Sequence, residues 1–250
     1  AAVHMPTRNG KQITLLDLAD HHSGLPSLPS NYTSNIYTTE QMYDFLNHYT
    51  LTRDPKARYE YSNFGVALLG QVLARRAGMD YATLLRTRIT GPLGMTHTAI
   101  HPTPAKQAEL TPGHGDGIQS PPIPINAMEA AGAIRSNADD MLIFLAANLG
   151  LMQTPLRPAM RQMLKVQRPG PPGVEVGLGW HIVDQRGTQA AFHSGQTYGY
   201  HSFFAFEPRR KVGVIVLSNS SVSIDDLGWR ILDYPQPAPH AIHVGPENVP

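Results

Sequence analysis

The chain contains no cysteine in 250 residues. That excludes a disulfide framework, thiolate ligation of zinc and a cysteine nucleophile, and it leaves the compartment open. No apolar run approaches the roughly 18 residues a membrane-crossing helix needs. The opening Ala1-Ala2-Val3-His4-Met5-Pro6 is not a signal peptide. Charge is scarce as well: charged residues make up 16%, the net charge is +1, and no Lys/Arg run or interleaved aromatic–basic patch occurs. No nucleic-acid partner is expected on that basis. Gly-x-Gly-x-x-Gly and phosphate-loop sequences are absent, so no nucleotide cofactor is expected. Gly-x-Ser-x-Gly is missing too, which argues against the nucleophile elbow of α/β-hydrolases. Neither His21-His22 nor His114 has carboxylates at ligand spacing, and no His-Glu-x-x-His occurs, so neither a metal nor any other cofactor is expected.

What is present divides into two styles. Residues 1–12 read as irregular. Thr14 with Asp17 opens a helix in a capping-box pattern, stopped by Gly24. Thr38 with Gln41 starts a second, with Met42, Phe45, Leu46 and Tyr49 on one face. A third begins at Ser62-Asn63 and runs through Val66, Leu69, Val72 and Leu73 to Gly78. Asp80 caps a fourth that ends at Gly91-Pro92. Residues 101–126, rich in Pro and Gly, read as a surface excursion. Ser136 with Asp139 caps another helix, with Met141, Leu142, Phe144 and Leu145 as its buried stripe. Pro155 marks the first turn of one more.

Then the period changes. Val174, Val176, Leu178, Trp180 and Ile182 alternate with other residues, as a half-buried strand does. Ala190–Gly195 is a short strand, and Tyr200–Phe206 and Val212–Ser218 form a hairpin around a five-residue loop, Glu207–Lys211. Ser223 with Asp226 caps a last helix carrying Leu227, Ile231 and Leu232. The predicted fold is α+β: an antiparallel sheet with a flanking helix, plus an all-helical subdomain. The expected division is 1–165 helical, 166–234 sheet and last helix, and 235–250 a Pro-rich tail or linker. Val212–Leu217 is apolar on both faces, as a strand covered on both sides is. As the last strand of the chain it needs a neighbour beyond its hairpin partner, and self-association through its free edge is a possible outcome.

Two short motifs carry candidate chemistry. Tyr61-Ser62-Asn63 stands where a helix starts. The plain reading is a Ser or Asn cap with Tyr packed beside it. The functional one has Tyr61 as a base and Asn63 offering its amide to a substrate, and a phenol with a pKa near 10 needs positive charge nearby for that. His193-Ser194-Gly195 lies on a strand ahead of Gln196-Thr197-Tyr198-Gly199. The plain reading is a strand running into a glycine turn. The functional one is an edge strand beside a cleft, with the Gln196 N–H aimed at a substrate oxygen and His193 supplying a hydrogen bond or positive charge.

In order along the chain, the pieces resemble one family. Ile13-Thr14-Leu15-Leu16-Asp17-Leu18 with His22-Ser23-Gly24-Leu25-Pro26, then Tyr61-Ser62-Asn63 as Tyr-x-Asn, are similar to class C serine β-lactamases and the related DD-peptidases and esterases. So are Gly91-Pro92-Leu93-Gly94-Met95, Gly132-Ala133-Ile134-Arg135-Ser136 with Asp140, and Gly177-Leu178-Gly179-Trp180. His193-Ser194-Gly195 matches the family's Lys-Thr-Gly position, and the resemblance covers roughly residues 12–233. Histidine in the third motif is closer to the peptidases and esterases than to dedicated β-lactamases. The family's Ser-x-x-Lys occurs nowhere in the 250 residues, so the nucleophile and its lysine are expected outside this chain, together with N-terminal elements that pack against the final strand.

The resemblance implies acyl transfer to a serine from an amide, ester or lactam, with Tyr61, Asn63, His193 and Gln196 catalytic. Ser194, Gly195 and Tyr198 are implied as substrate-binding, and Tyr61 and His193 as facing across one groove between a helical lobe and a sheet. The implied substrate is a small molecule or peptidoglycan-like, and the implied location periplasmic or secreted. The alternative is a noncatalytic module binding such ligands.

Overall fold

The computed structural model describes residues 3–32, 37–121, 127–185 and 187–233. The stretch expected as a tail, 235–250, lies outside the described residues. The chain forms two compact units. The first is Ala1–Tyr81 with Pro124–Ala133; the second runs from Ala82 to Ile123 and onward from Ile134.

The first unit opens with strands β1 (Thr7–Arg8) and β2 (Lys11–Gln12), a hairpin where irregular chain was expected. Its turn, Asn9-Gly10, has φ of 51° and 72° at the two central positions, the signature of the tight turn Asn-Gly favours. Helices α1 (Leu15–Ala19), α2 (Thr39–His48) and α3 (Asn63–Ala77) follow. Thr14 and Thr38 both close capping boxes as expected, with Asp17 and Gln41. Helix α1 stops at Asp20, four residues before Gly24. Helix α3 ends at Gly78 in the left-handed conformation.

Not every large apolar residue along α3 is buried. Phe64, Gly65, Ala67, Leu68, Gly70 and Ala74 are buried, and Val72 and Leu73 are exposed. Small side chains let the helix approach its neighbours closely, and size rather than hydropathy selects the face. The core of this unit gathers Leu18, Leu25, Met42, Phe45, Leu46, Leu51, Phe64 and Leu68.

Helix α4 (Tyr81–Leu85), which starts at the last residue of the first unit's opening stretch, continues through a π-helical turn, Arg86–Thr90, into α5 (Gly91–Leu93), and only Gly94 stops it. Pro92 sits in the first turn of α5, where a missing N–H costs nothing, so Gly91-Pro92 does not end the helix. The expected excursion holds α6 (Pro104–Ala108) and a hairpin, β3 (His114–Gly115) and β4 (Ile118–Gln119), turning at Asp116-Gly117. Helix α7 (Ala138–Leu149) is capped by Asn137, whose side chain accepts from the Asp140 N–H, not by Ser136. Leu142 is 53% exposed and leaves the expected stripe. Helix α8 (Arg157–Met163) has Pro158, not Pro155, in its first turn.

The six-stranded sheet is antiparallel. Its strands are β5 (Arg168–Pro169), β6 (Glu175–Val176), β7 (His181–Gln185), β8 (Thr188–Thr197), β9 (Tyr200–Glu207) and β10 (Val212–Ser218), each paired with the next. The alternation over 174–182 is a hairpin rather than one strand: Glu175 pairs with Ile182, and the Gly177 N–H donates to the Trp180 carbonyl. The β9–β10 loop has four residues, because Glu207 pairs with Val212. Its buried carboxylate accepts from the backbone N–H groups of Arg209 and Arg210, which holds the residue in the strand.

Helix α9 (Asp225–Leu232) covers one sheet face, where Trp229 meets Phe192 and Phe203 edge-on at 4.8 and 5.2 Å. Gly228 makes that approach possible: a Cβ there would lie 2.1 Å from Phe203 Cδ1. The Ser223 hydroxyl takes the Asp225 N–H, one residue short of the expected Asp226. On the opposite face, Leu145 and Leu149 of α7 join Trp180, Phe204 and Phe206. Helix α7 therefore belongs with the sheet, whereas the expected division at residue 165 grouped it with the preceding helices.

Candidate active site

In the first unit, Tyr61 rests on the loop 20–27 that leaves α1. The Ser62 hydroxyl accepts from the Gly65 N–H at 2.8 Å, capping α3, and donates to the Pro26 carbonyl at 2.6 Å. The plain reading of Ser62 as a cap is therefore correct, and the cap also ties the helix to the loop. The Phe64 N–H donates to the Ser27 carbonyl and the Lys56 N–H to the His22 carbonyl. Asn63 is the first residue of α3 and half-exposed.

Tyr61 stacks on His21, ring centroids 4.3 Å apart. Burial pushes its phenol up to about 12. At neutral pH it is a protonated hydroxyl. In that form it donates a proton, and taking one requires a cation that lowers its pKa. His21 is buried and has φ 60°, a left-handed conformation that histidine visits more often than most residues but that costs of order 1 kcal/mol or more. His22 places its Nδ1 2.8 Å from the Asp20 carbonyl oxygen.

In the second unit, register decides the geometry of the third motif. Gln185 pairs with Thr188 and Thr197 with Tyr200 across two-residue turns. Such closing pairs exchange both backbone hydrogen bonds, and the bonding side alternates along an antiparallel strand. Odd residues of β8 therefore bond to β9, and even residues point towards the β7 side. Pairing with β7 ends at Phe192–His181. Beyond it, the N–H groups of Ser194 and Gln196 point to a side that, among the described strands, β7 no longer occupies. β8 is thus not the edge strand expected; it is interior up to Phe192 and one-sided over 193–197.

His193 leans over the same open side, its Nδ1 2.6 Å from the Ser194 carbonyl. Nδ1 therefore carries the hydrogen, and the neutral ring keeps Nε2 as an acceptor. Burial lowers the His193 pKa, against the opposing pull of the Ser194 hydrogen bond and the charge of Asp225. At pH 7 it is a neutral, hydrogen-bonding imidazole rather than a positive charge. Its ring lies 5.3 Å from that of His181. Ser194 is buried, while Gly195 and Tyr198 are half-exposed. The turn after Gln196 is pinned from outside: the Tyr200 hydroxyl donates to the Thr111 carbonyl, and the His114 N–H donates to those of Gly199 and Asn219. Across β9, His201 Nε2 donates to Asp225 Oδ1 at 2.9 Å. Among the described residues no three His, Asp or Glu side chains form a group that could hold a metal, and no helix is long and apolar enough to cross a membrane.

The chain matches the family model Beta-lactamase over residues 2–232. It belongs to the beta-lactamase family. This beta-lactamase-family chain is 27% identical over 237 residues to the D-alanyl-D-alanine-carboxypeptidase/endopeptidase AmpH of Escherichia coli (strain K12), covering 87% of the chain and 61% of that protein. It is 23% identical over 271 residues to a beta-lactamase of the same organism, covering 92% and 71%. Among solved structures it is similar to a beta-lactamase/D-alanine carboxypeptidase from Yersinia pestis, at 26% identity and TM-score 0.77, covering 93% of the chain and 73% of that one. A class C beta-lactamase from Rhodobacter sphaeroides gives 22% and 0.76, covering 86% and 70%. The fold is that of class C beta-lactamases, and the chain spans about three fifths of the carboxypeptidase/endopeptidase it matches.

Within this beta-lactamase-family chain, the structure places His193, Ser194, Gly195 and Gln196 on the stretch of β8 beyond β7, Tyr198 in the turn after it, Asn63 first in α3 and Tyr61 just before the capping Ser62. The residue that the sequence does not reveal is His21, weighed there only as a metal ligand. Its signal was weak: a His-His pair before Ser-Gly does not reveal a left-handed backbone.

Proposed function

We propose that these 250 residues supply the proton-relay and substrate-binding parts of a serine hydrolase of the beta-lactamase/DD-peptidase/esterase type, with the nucleophile outside this chain. The observation that carries the reading is the Gln196 N–H on the open side of β8, beside the neutral His193. A backbone N–H fixed by sheet register is a preorganised donor for an oxyanion, because it needs no rearrangement when charge develops. A serine hydroxyl attacks an amide, ester or lactam carbonyl. Its proton goes by way of Tyr61 to the departing group, and the carbonyl oxygen becomes an oxyanion held by the serine and Gln196 N–H groups. Asn63 and His193 orient the substrate through hydrogen bonds. Water then attacks the acyl-enzyme and releases the acid.

Tyr61 works as a base only if a cation lowers its pKa, and one opposite charge within about 4–6 Å moves a pKa by one to three units. The family's Ser-x-x-Lys lysine would do this, and no Ser-x-x-Lys occurs in the 250 residues. The substrate class is a small molecule or peptidoglycan-like peptide, and the compartment periplasmic or secreted, by likeness to the family.

The test is direct. The chain alone, treated with labelled penicillin or an activated ester, is expected to give no covalent adduct and no burst. A labelled serine found by mass spectrometry overturns the external nucleophile. Reading the gene upstream of Ala1 separates the classes: a Ser-x-x-Lys there supports the hydrolase, and a start codon without one supports a noncatalytic binding module. The free edge of β10, outermost among the described strands, carries Leu217 at 43% exposure. Antiparallel pairing of two copies along it is expected in solution. Light scattering showing the same monomer for the chain and for Leu217→Lys would remove that expectation.

A further inference from the structure

His21 touches Tyr61 and both of its chain neighbours. Its carbonyl accepts the Glu60 N–H at 2.9 Å. Its Nδ1 accepts the Ser62 N–H at 3.2 Å, in a buried bond. Its ring carries the Tyr61 ring at 4.3 Å, tilted by 36°. The residues before and after the tyrosine are thus tied to one histidine, and the side chain between them lies on that histidine's face. Tyr59 meets the same ring edge-on at 5.7 Å, so Tyr61 has one wall of its setting fixed.

We propose that His21 is a positioning residue for Tyr61, bracketing its backbone from both sides and fixing the plane of its ring. The inference rests on the reading of Tyr61 as the proton relay. Two features mark the arrangement as more than packing. The backbone of His21 is left-handed, at φ 60°, and an unfavourable conformation persists only where the surroundings over-determine it. That conformation turns the carbonyl and the imidazole of one residue towards the two N–H groups that flank Tyr61. The tautomer is also dictated: Nδ1 accepts, so the ring hydrogen of the neutral imidazole sits on Nε2. A hydrogen on Nδ1 would face the Ser62 N–H donor to donor and release the bracket.

The experiment is NMR on the full 250-residue chain with 13C-labelled tyrosine and 15N-labelled histidine, Tyr61 being assigned from Tyr61→Phe. In the wild type, His21 Nδ1 is expected to be unprotonated and hydrogen-bond-accepting at pH 7, and Tyr61 to titrate near 12. His21→Gly suits the left-handed backbone and keeps the carbonyl, but removes the imidazole. Its Tyr61 resonance should shift and its titration midpoint fall towards the ordinary value of about 10. His21→Asn tolerates the same backbone and offers an amide oxygen to the Ser62 N–H. It should restore the Ser62 amide resonance without restoring the ring-stacking shift on Tyr61.

A Tyr61 resonance and midpoint unmoved in folded His21→Gly would overturn the proposal, as would a protonated Nδ1 in the wild type. If His21→Gly does not fold, the wild-type tautomer and the His21→Asn spectrum decide. None of these readouts needs turnover, so they stand or fall separately from the acyl-transfer chemistry.

Discussion

Tyr61 and His193 are fixed by different physics. Tyr61 hangs on a loop, held by one capping serine, one left-handed histidine and a few bonds between side chain and backbone. The open stretch of β8 that bears His193 and Gln196 inherits its geometry from strand register, pinned at both ends by two-residue turns. A register is written in backbone bonds and survives most side-chain changes. A loop cradle is written in particular side chains and fails one residue at a time. The second unit should therefore tolerate substitution at its site and suffer only from losses in the core beneath the sheet, and the first should be sensitive at the site itself.

The largest expected effect tests the sheet's foundation. Trp229→Ala, which empties the contact between Phe192 and Phe203, is expected to cost about 3–5 kcal/mol, read by chemical denaturation. A loss below 1 kcal/mol would mean that α9 does not underpin β8. Next is the loop. Ser62→Ala removes a helix cap and strips a donor from the Pro26 carbonyl, for a combined loss of about 2 kcal/mol. Ser194→Ala, at a buried site residue of the sheet, is expected to cost about 1 kcal/mol or less; equal costs at the two serines would break the contrast.

The two site residues also differ in the pH range where they affect stability. Tyr61 has a raised pKa in the folded chain. Its contribution is fully present below the unfolded value of about 10 and is lost as pH rises towards 12. Tyr61→Phe should flatten the alkaline fall in unfolding free energy. His193 has a lowered pKa. The unfolded chain binds its proton first, so stability falls as pH drops below about 6.5, and His193→Gln should flatten that acid limb. Opposite slopes at either residue would reverse the assigned burial effects. The smallest effect belongs to neither site: Leu142→Gln, on the exposed side of α7, should change stability by no more than about 0.5 kcal/mol.

The same contrast explains what could be read from the sequence. Capping boxes at Thr14 and Thr38, the Gly78 stop and the β9–β10 hairpin are local patterns with local causes, and they were legible. Tyr61 and Asn63 at the start of a helix, and His193 to Gln196 on a strand, were placed on the correct elements. The turns Asn9-Gly10 and Asp116-Gly117 are equally local, but they lie inside stretches whose composition reads as irregular. The buried face of α3, which includes Gly65, Ala67, Gly70 and Ala74, is not legible locally, because close approach to neighbours distant in the chain selects it. The open side of β8 depends on where β7 begins, and the role of His21 on a bond to residue 62. Both are long-range facts that no window of residues contains.

The carboxylate of Glu207 has a consequence for the last strand. By gathering the N–H groups of Arg209 and Arg210 it sets where the chain reverses, as the stop at the foot of a zip decides how every tooth above it meets. Because side chains alternate in a strand, a slip of one tooth would turn Val214 away from α9 and drive Gly213 and Ile215, which face α7, into the layer beneath α9. The alignment of a seven-residue strand is thereby entrusted to a single anion at its root.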